Sequence, residues 1–302
     1  MSFVENAQDM GLRAVDGFGF HHADEYSEVL YRGLMTTGEV PTEGNEDFKA
    51  SSPIPNIALF TRKTSTNDWG FCGILSDKYK FEANSTFISS VREAINETET
   101  SIVTENVLQT PDLTQIRASM VLQNPHDIGE VGDVYPQVSI ENSYNGSMSK
   151  RIAFGIHIMS SSRLNYEINF NFKKLGVMRQ IHHQSHDTTV SSPIGNYVEN
   201  FSSNITELFQ SNFETQLTED SVMAVLDNIE KIGSKPRRAV SSYISNEDGG
   251  IENVSAWDMF LAIARYTNFT TSLNTKRLLE NAAERVLIVP TNMRDMLAAS
   301  NS

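Results

Sequence analysis

Between Val138 and Phe172 apolar and polar residues alternate along three successive runs, and this period of two constrains the fold more than any other feature of the chain. Successive side chains of a strand point to opposite faces, so alternation marks a strand with one face turned to a core. Val138 and Ile140 share a face of the first run, Asn145-Gly146 offers a turn that tolerates positive φ, and Ile152, Phe154, Ile156 and Ile158 share a face of the return. In the third run Leu164, Tyr166, Ile168, Phe170 and Phe172 alternate with Asn165, Glu167, Asn169, Asn171 and Lys173. The pattern predicts an antiparallel meander with one face buried and the other wet.

The flanks read differently. Ile57 to Arg62 and Gly70 to Leu75 are short apolar runs around the polar turn Lys63 to Asp68, which predicts a hairpin. Asn84 or Ser85 can then cap a helix with Phe87, Ile88, Val91 and Ile95 on one face, ending near Glu97, and Gln115 to Leu122 is a further strand candidate. After Pro193 the period becomes helical: Ile194, Tyr197, Val198, Phe201, Ile205, Leu208 and Phe209 form one stripe. Val222, Val225, Leu226 and Ile229 form a second, closed by Gly233; residues 246–250 read as a loop, and 256–266 and 278–289 as two more helices. The expected fold class is α+β, an antiparallel β-meander core with an inserted helix and a helical C-terminal region. Three parts follow: an acidic arm over 1–55, a β-rich core over 56–190 and the helical region over 191–302.

The arm is set apart by charge. Its first fifty residues hold ten acidic side chains against three basic ones, Gly17, Gly19, Gly33, Gly38 and Gly44 lie among them, and it closes on Pro53 and Pro55, whose rings oppose helix. A linker or a strand-poor wrap is expected there. The chain as a whole has 302 residues and a net charge of −14, enough length to bury a core and too much negative charge for unselective binding of polyanions. Any nucleic-acid role must rest on a local patch. With a single cysteine there is no internal disulfide framework and no multi-cysteine zinc site, which suits a reducing compartment. The start has no signal-peptide pattern and no run is long and apolar enough for a membrane span, so a soluble protein is expected.

Candidate chemistry is sparse. His182 and His186 stand four apart, a spacing that on a helix would put both on one face, but no further ligand accompanies them and no metal is expected. Cys72 lies in an apolar run with no basic neighbour and reads as a buried, unreactive thiol. Gly17-Phe18-Gly19 follows no strand and lacks the Lys-Ser/Thr of a phosphate loop. The one positively biased region is residues 150–180, where Lys150, Arg151, Arg163, Lys173, Lys174 and Arg179 face only Glu167. Such a basic sheet face with aromatic neighbours can bind single-stranded nucleic acid through phosphate contacts and stacking, or it can simply keep the surface wet. A second cluster is Lys235-Pro236-Arg237-Arg238.

Phe71 to Lys80, with its Leu75-Ser76-Asp77-Lys78-Tyr79 segment, resembles a motif of the phage/plasmid-like family of unknown function 932. Ile140 to Ser147 with the strand Ile152 to Gly155 is similar to that family's Asn-Ser-x-x-Gly-Ser hairpin, Ile181-His182-His183 to its Arg-His element, and Ala256-Trp257-Asp258 to its Trp-containing helix. The resemblance spans roughly residues 57–290; the usual cysteine and the Asn-Gly pair after the central strands are missing, which marks a divergent member. It implies a phage or mobile-element origin, in the cytoplasm of an infected bacterium or in the virion, and supplies no catalytic residues. The order of elements is also reminiscent of phage single-strand annealing proteins. The expectation is therefore a non-catalytic protein of DNA metabolism that binds or anneals single-stranded DNA through the six cations, without cofactor, as a homo-oligomer or with phage or host proteins. The alternative is a virion or host-interaction protein that binds no nucleic acid.

Overall fold

The computed structural model describes residues 21–22, 29–36, 53–62, 69–76, 79, 82–110, 114–129, 131–159, 167–180, 190–210, 212, 215–245, 254–270 and 273–288. The strands among them are β1 (His21–His22), β2 (Val29–Thr36), β3 (Pro53–Arg62), β4 (Trp69–Ser76), β5 (Ile102–Gln109), β6 (Gln115–Leu122), β7 (His126–Asp127), β8 (Asp133–Ser143), β9 (Lys150–Ile158), β10 (Ile168–Asn171) and β11 (Val177–Gln180). The helices are α1 (Asn84–Asn96), α2 (Ser191–Glu199), α3 (Phe201–Gln210), α4 (Glu219–Ile232), α5 (Ser234–Ser245), α6 (Ala256–Phe269) and α7 (Leu273–Ile288). The fold is α+β, an antiparallel sheet followed by a helical C-terminal region.

An eight-stranded sheet runs in the order β1-β5-β6-β8-β9-β10, with β11 on β9 and β7 on β8. The meander read from the alternation is β8-β9-β10, though its third strand is only Ile168–Asn171, and Leu164 to Tyr166 lie outside the described residues. A separate sheet, β2-β3-β4, contains the expected hairpin as β3 and β4. Its third strand, β2, pairs Val29 with Arg62 and Thr36 with Pro53, and β1 pairs with Leu108 and Gln109 of β5. Strands therefore occur inside the stretch read as a strand-poor arm. Residues 53–55, read as the close of that arm, belong to β3; extended backbone suits proline at the first residue of a strand.

The chain folds into two compact units. The first comprises residues 1–120, 139–152 and 177–195, the second 121–138, 153–176 and 196–302, so neither follows the sequential division at 55 and 190. In the first unit α1 buries Phe87, Ile88, Val91, Ala94 and Ile95, the face its spacing predicts. Its N-cap is Ala83, with no side-chain cap, and Asn84 is the first helical residue.

The core of the second unit is aromatic. Phe170 and Phe172 meet Phe260 with ring centroids 5.0 and 5.8 Å away, and Phe209 and Trp257 complete the cluster, Trp257 lying 5.1 Å from Phe260. All of β9 is buried, on both faces. The residues between its core-facing apolar positions make this possible: Ala153 and Gly155 are small, and His157 bonds Asn169 at 2.8 Å. At Gly155 a Cβ would stand 2.0 Å from the Phe170 carbonyl oxygen, so only glycine fits there. Tyr197 packs its ring against Phe154 at 4.6 Å while its hydroxyl donates to the Gly155 carbonyl and accepts from the Gln137 N–H. Burial pushes that phenol far above its ordinary range, with the two backbone hydrogen bonds working the other way.

Local chemistry starts and stops the helices. Ser255 and Asp258 form a reciprocal capping box on α6, Thr218 accepts from the Ser221 N–H at the start of α4, and Gly233 ends α4 as its position predicts. The apolar stripe from 194 to 209 is two helices broken at Asn200. The basic cluster Lys235 to Arg238 sits on α5, where Arg237 pairs with Glu230 at 2.8 Å. No helix among the described residues is long and apolar enough to cross a membrane.

Candidate functional site

The densest buried polar chemistry of the first unit gathers at the tip of the β8–β9 hairpin. Asn145-Gly146 turns the chain as expected: Gly146 has φ of +72°, and the Asn145 side-chain oxygen accepts from the Ser147 N–H at 3.0 Å. The Ser143 hydroxyl closes the turn by donating to the Met148 carbonyl and accepting from its N–H, both at 2.9 Å. Thr114 anchors the tip from outside, its carbonyl accepting from the Tyr144 N–H at 2.7 Å and its hydroxyl from the Asn145 amide at 3.2 Å.

Beside this tip lies the start of α1. The Tyr144 hydroxyl accepts from the Asn84 N–H at 2.6 Å, satisfying a helix-start amide that no side-chain cap serves. The Asn142 amide donates to the Asn84 side-chain oxygen at 2.9 Å, and Tyr79 donates to the Ser143 carbonyl at 2.8 Å. The Asn84 amide nitrogen and the Asn142 amide oxygen are buried without a hydrogen-bond partner.

Two ion pairs complete the cluster. The Lys150 ammonium donates to Glu82 at 2.6 Å and lies 4.8 Å from the centre of the Phe87 ring. Arg151 donates from Nη1 to Glu141 at 3.2 Å, and its Nε is buried with no acceptor. Lys150 and Arg151 are each 8 % exposed and Glu141 3 %. Buried pairs of this kind cost desolvation that hydrophobic residues would not, so they add little net stability.

This placement corrects the basic-face expectation. Lys150 and Arg151 do not line a wet strand face; β9 is covered on both sides, and each cation is spent on a carboxylate. In the second unit Lys174 is exposed and pairs with Glu207 at 3.0 Å, while the backbone N–H groups of Lys173 and Lys174 donate to the buried Glu284 at 3.2 and 2.5 Å. The Lys173 and Arg179 side chains are exposed, Arg179 in the first unit, and Arg163 lies outside the described residues. The five described cations are thus divided between the units, Lys150, Arg151 and Arg179 in the first and Lys173 and Lys174 in the second. His182 and His186, Gly17 to Gly19 and the Cys72 side chain also lie outside the described residues, and no cluster of three His, Cys, Asp or Glu is found among the described ones.

Sequence reading made Asn84 only a helix cap and Glu141 and Asn142 only part of the hairpin segment, and it gave Glu82 no role. Period-two alternation assigns polar strand residues to solvent, and nothing in the sequence tells that Glu82 will meet a lysine 68 residues on. No family model matches this chain, and neither does any curated protein or solved structure.

Proposed function

We propose that this chain acts without catalysis by binding another protein, as a structural or host-interaction component, and not along a nucleic-acid strand. What supports the reading is the fate of the cations that a strand-binding surface would need: Lys150 and Arg151 are buried on carboxylates and Lys174 is paired. Phosphate affinity comes from cations free to displace counterions, and these are not. Among the described residues the buried charges cancel as well, since Lys150, Arg151 and Lys276 offset Glu141, Glu280 and Glu284. The net charge of −14 therefore belongs to the remaining residues, which favours a basic partner surface over DNA or RNA. The phage or mobile-element setting is part of the proposal and rests on the short motifs quoted above.

The deciding experiment is a gel shift with labelled single-stranded DNA at low and high salt, run beside a pull-down from the producing host and mass spectrometry of purified virions. No shift at low salt, with a stoichiometric partner captured or the chain found in virions, is the expected result. A salt-dependent shift weakened by changing Lys173 and Lys174 to Glu would overturn it and restore the basic-face reading.

A further inference from the structure

β10 is the outermost strand at its end of the eight-stranded sheet, and among the described residues no strand lies on its outer side. The Phe172 N–H donates to the Phe154 carbonyl of β9 at 3.0 Å, so even-numbered residues turn their backbone groups toward β9 and odd-numbered ones turn theirs outward. An edge of this kind is a template for another chain, and proteins blunt it with charge, proline, a bulge or a cover. Ile168-Asn169-Phe170-Asn171 holds neither a charge nor a proline.

The cover comes from side chains of α6 and α7. Asn268 accepts from the Asn169 N–H at 3.3 Å and donates its amide to the Glu167 carbonyl, the two bonds that a residue of a neighbouring strand would make. Glu280 accepts from the Asn171 N–H at 3.4 Å, and Glu284 takes the N–H groups of Lys173 and Lys174. The outward donors of residues 169, 171 and 173 are thus met in order by three side chains and by no strand. Glu280 and Glu284 are buried, where a carboxylate carries a desolvation cost that an apolar side chain would not. The closure has one misfit, since the Asn171 side-chain oxygen is buried without a hydrogen-bond partner.

The sequence of β10 indicates what this cover excludes. When two copies of the strand run antiparallel about a twofold axis through Phe170, Asn169 meets Asn171, Phe170 meets Phe170 and Ile168 meets Phe172. Apolar residues then oppose apolar ones on one face and asparagines oppose asparagines on the other. In the same register the outward groups of residues 169 and 171 exchange backbone hydrogen bonds. An asparagine amide both donates and accepts, so the second copy's Asn169 carries the donor that the Asn171 oxygen lacks. The contact is self-complementary and closes at two chains.

We propose that Asn268, Glu280 and Glu284 form an autoinhibitory cover that keeps β10 from pairing with β10 of a second copy of this chain. The proposal does not rest on the protein-binding reading.

The test replaces the three covering residues in the full chain, Asn268→Ala with Glu280→Ala and Glu284→Ala, and compares it with the unaltered chain by light scattering between about 1 and 100 µM. The triple variant should dimerise at a concentration at least about tenfold lower. Adding Asn169→Pro removes an outward donor at a position where an edge strand tolerates proline, and should reverse the effect. Association that the proline does not suppress is non-specific aggregation and overturns the proposal, as does a triple variant no more associated than the unaltered chain. Asn268→Ala alone keeps both carboxylates and serves where the triple variant fails to fold. Its Asn169 amide should exchange at least about tenfold faster at low protein concentration and slow again as concentration rises and the strands pair. Unchanged protection at Asn169, or fast exchange indifferent to concentration, overturns the proposal.

Discussion

Changing Arg151 to Met keeps most of the side-chain volume on β9 and removes the charge that Glu141 faces. At the observed 3.2 Å the pair attracts by about 5 kcal/mol if the effective dielectric is near 20. Desolvation of both groups consumes much of that, so the pair as a whole adds little to stability. The single variant is a different matter: it leaves a carboxylate that is 3 % exposed without its guanidinium, and breaking a buried pair from one side costs about 3–5 kcal/mol. Adding Glu141→Gln to Arg151→Met removes the stranded charge and should recover most of the loss. Urea denaturation followed by far-ultraviolet circular dichroism gives the energies, and hydrogen exchange over residues 138–152 assigns them to the hairpin. A cost under about 1 kcal/mol for Arg151→Met would be that of a solvated surface pair and would refute the buried arrangement.

Three further outcomes are expected. Glu284→Ala removes the acceptor of two backbone N–H groups, and hydrogen exchange should show protection lost at Lys173 and Lys174 with a destabilisation of about 1–3 kcal/mol; unchanged protection would mean the turn holds itself. Tyr197 is neutral in both folded and unfolded chains below the ordinary phenol value of 10.0, but above it only the unfolded chain ionises, because the folded pKa is raised. Stability should therefore fall above that pH by about 1.4 kcal/mol per unit beyond other losses, and Tyr197→Phe should remove that component in alkaline denaturation curves. Gly155→Ala forces a methyl to within 2.0 Å of the Phe170 carbonyl, and should cost more than about 3 kcal/mol or yield no soluble protein; a variant with native stability would contradict the β9–β10 register.

The sequence made the meander, the turn at Gly146, the buried face of α1 and the end of α4 at Gly233 readable, because each follows from spacing within a dozen residues. β5 was not read, since Ile102 to Gln109 carries no clean alternation, with Val103, Thr104 and Asn106 all exposed. The break at Asn200 hides inside an unbroken apolar stripe, and α5 hides behind Pro236, which a first helical turn tolerates. The candidate site was obscured for a deeper reason. Lys150 and Arg151 look like surface charges because their partners, Glu82 and Glu141, are set by the folding of α1 and β8 and not by neighbouring sequence. The one local hint was the smallness of Ala153 and Gly155 on the supposedly wet face of β9, since a face that needs glycine is a face that something touches.

The division of the chain between its two units bears on how the protein is made. Read from one end, the polypeptide changes unit five times, at residues 120, 138, 152, 176 and 195. A ribosome releasing it in order delivers the last piece of the first unit only when Gly195 has emerged, and by then the second unit has received its strands but none of α3 to α7. Phe170 and Phe172 must wait, uncovered, for Phe209, Trp257 and Phe260. Early folding is thus confined to the first 120 residues, and the central strands pass through a period of exposure in which a chaperone or a second copy of the chain competes for them. No single cut separates the units, since a cut after residue 195 leaves pieces of the second with the first and a cut after residue 120 leaves pieces of the first with the second, so fragments made at one boundary should aggregate more than the intact chain.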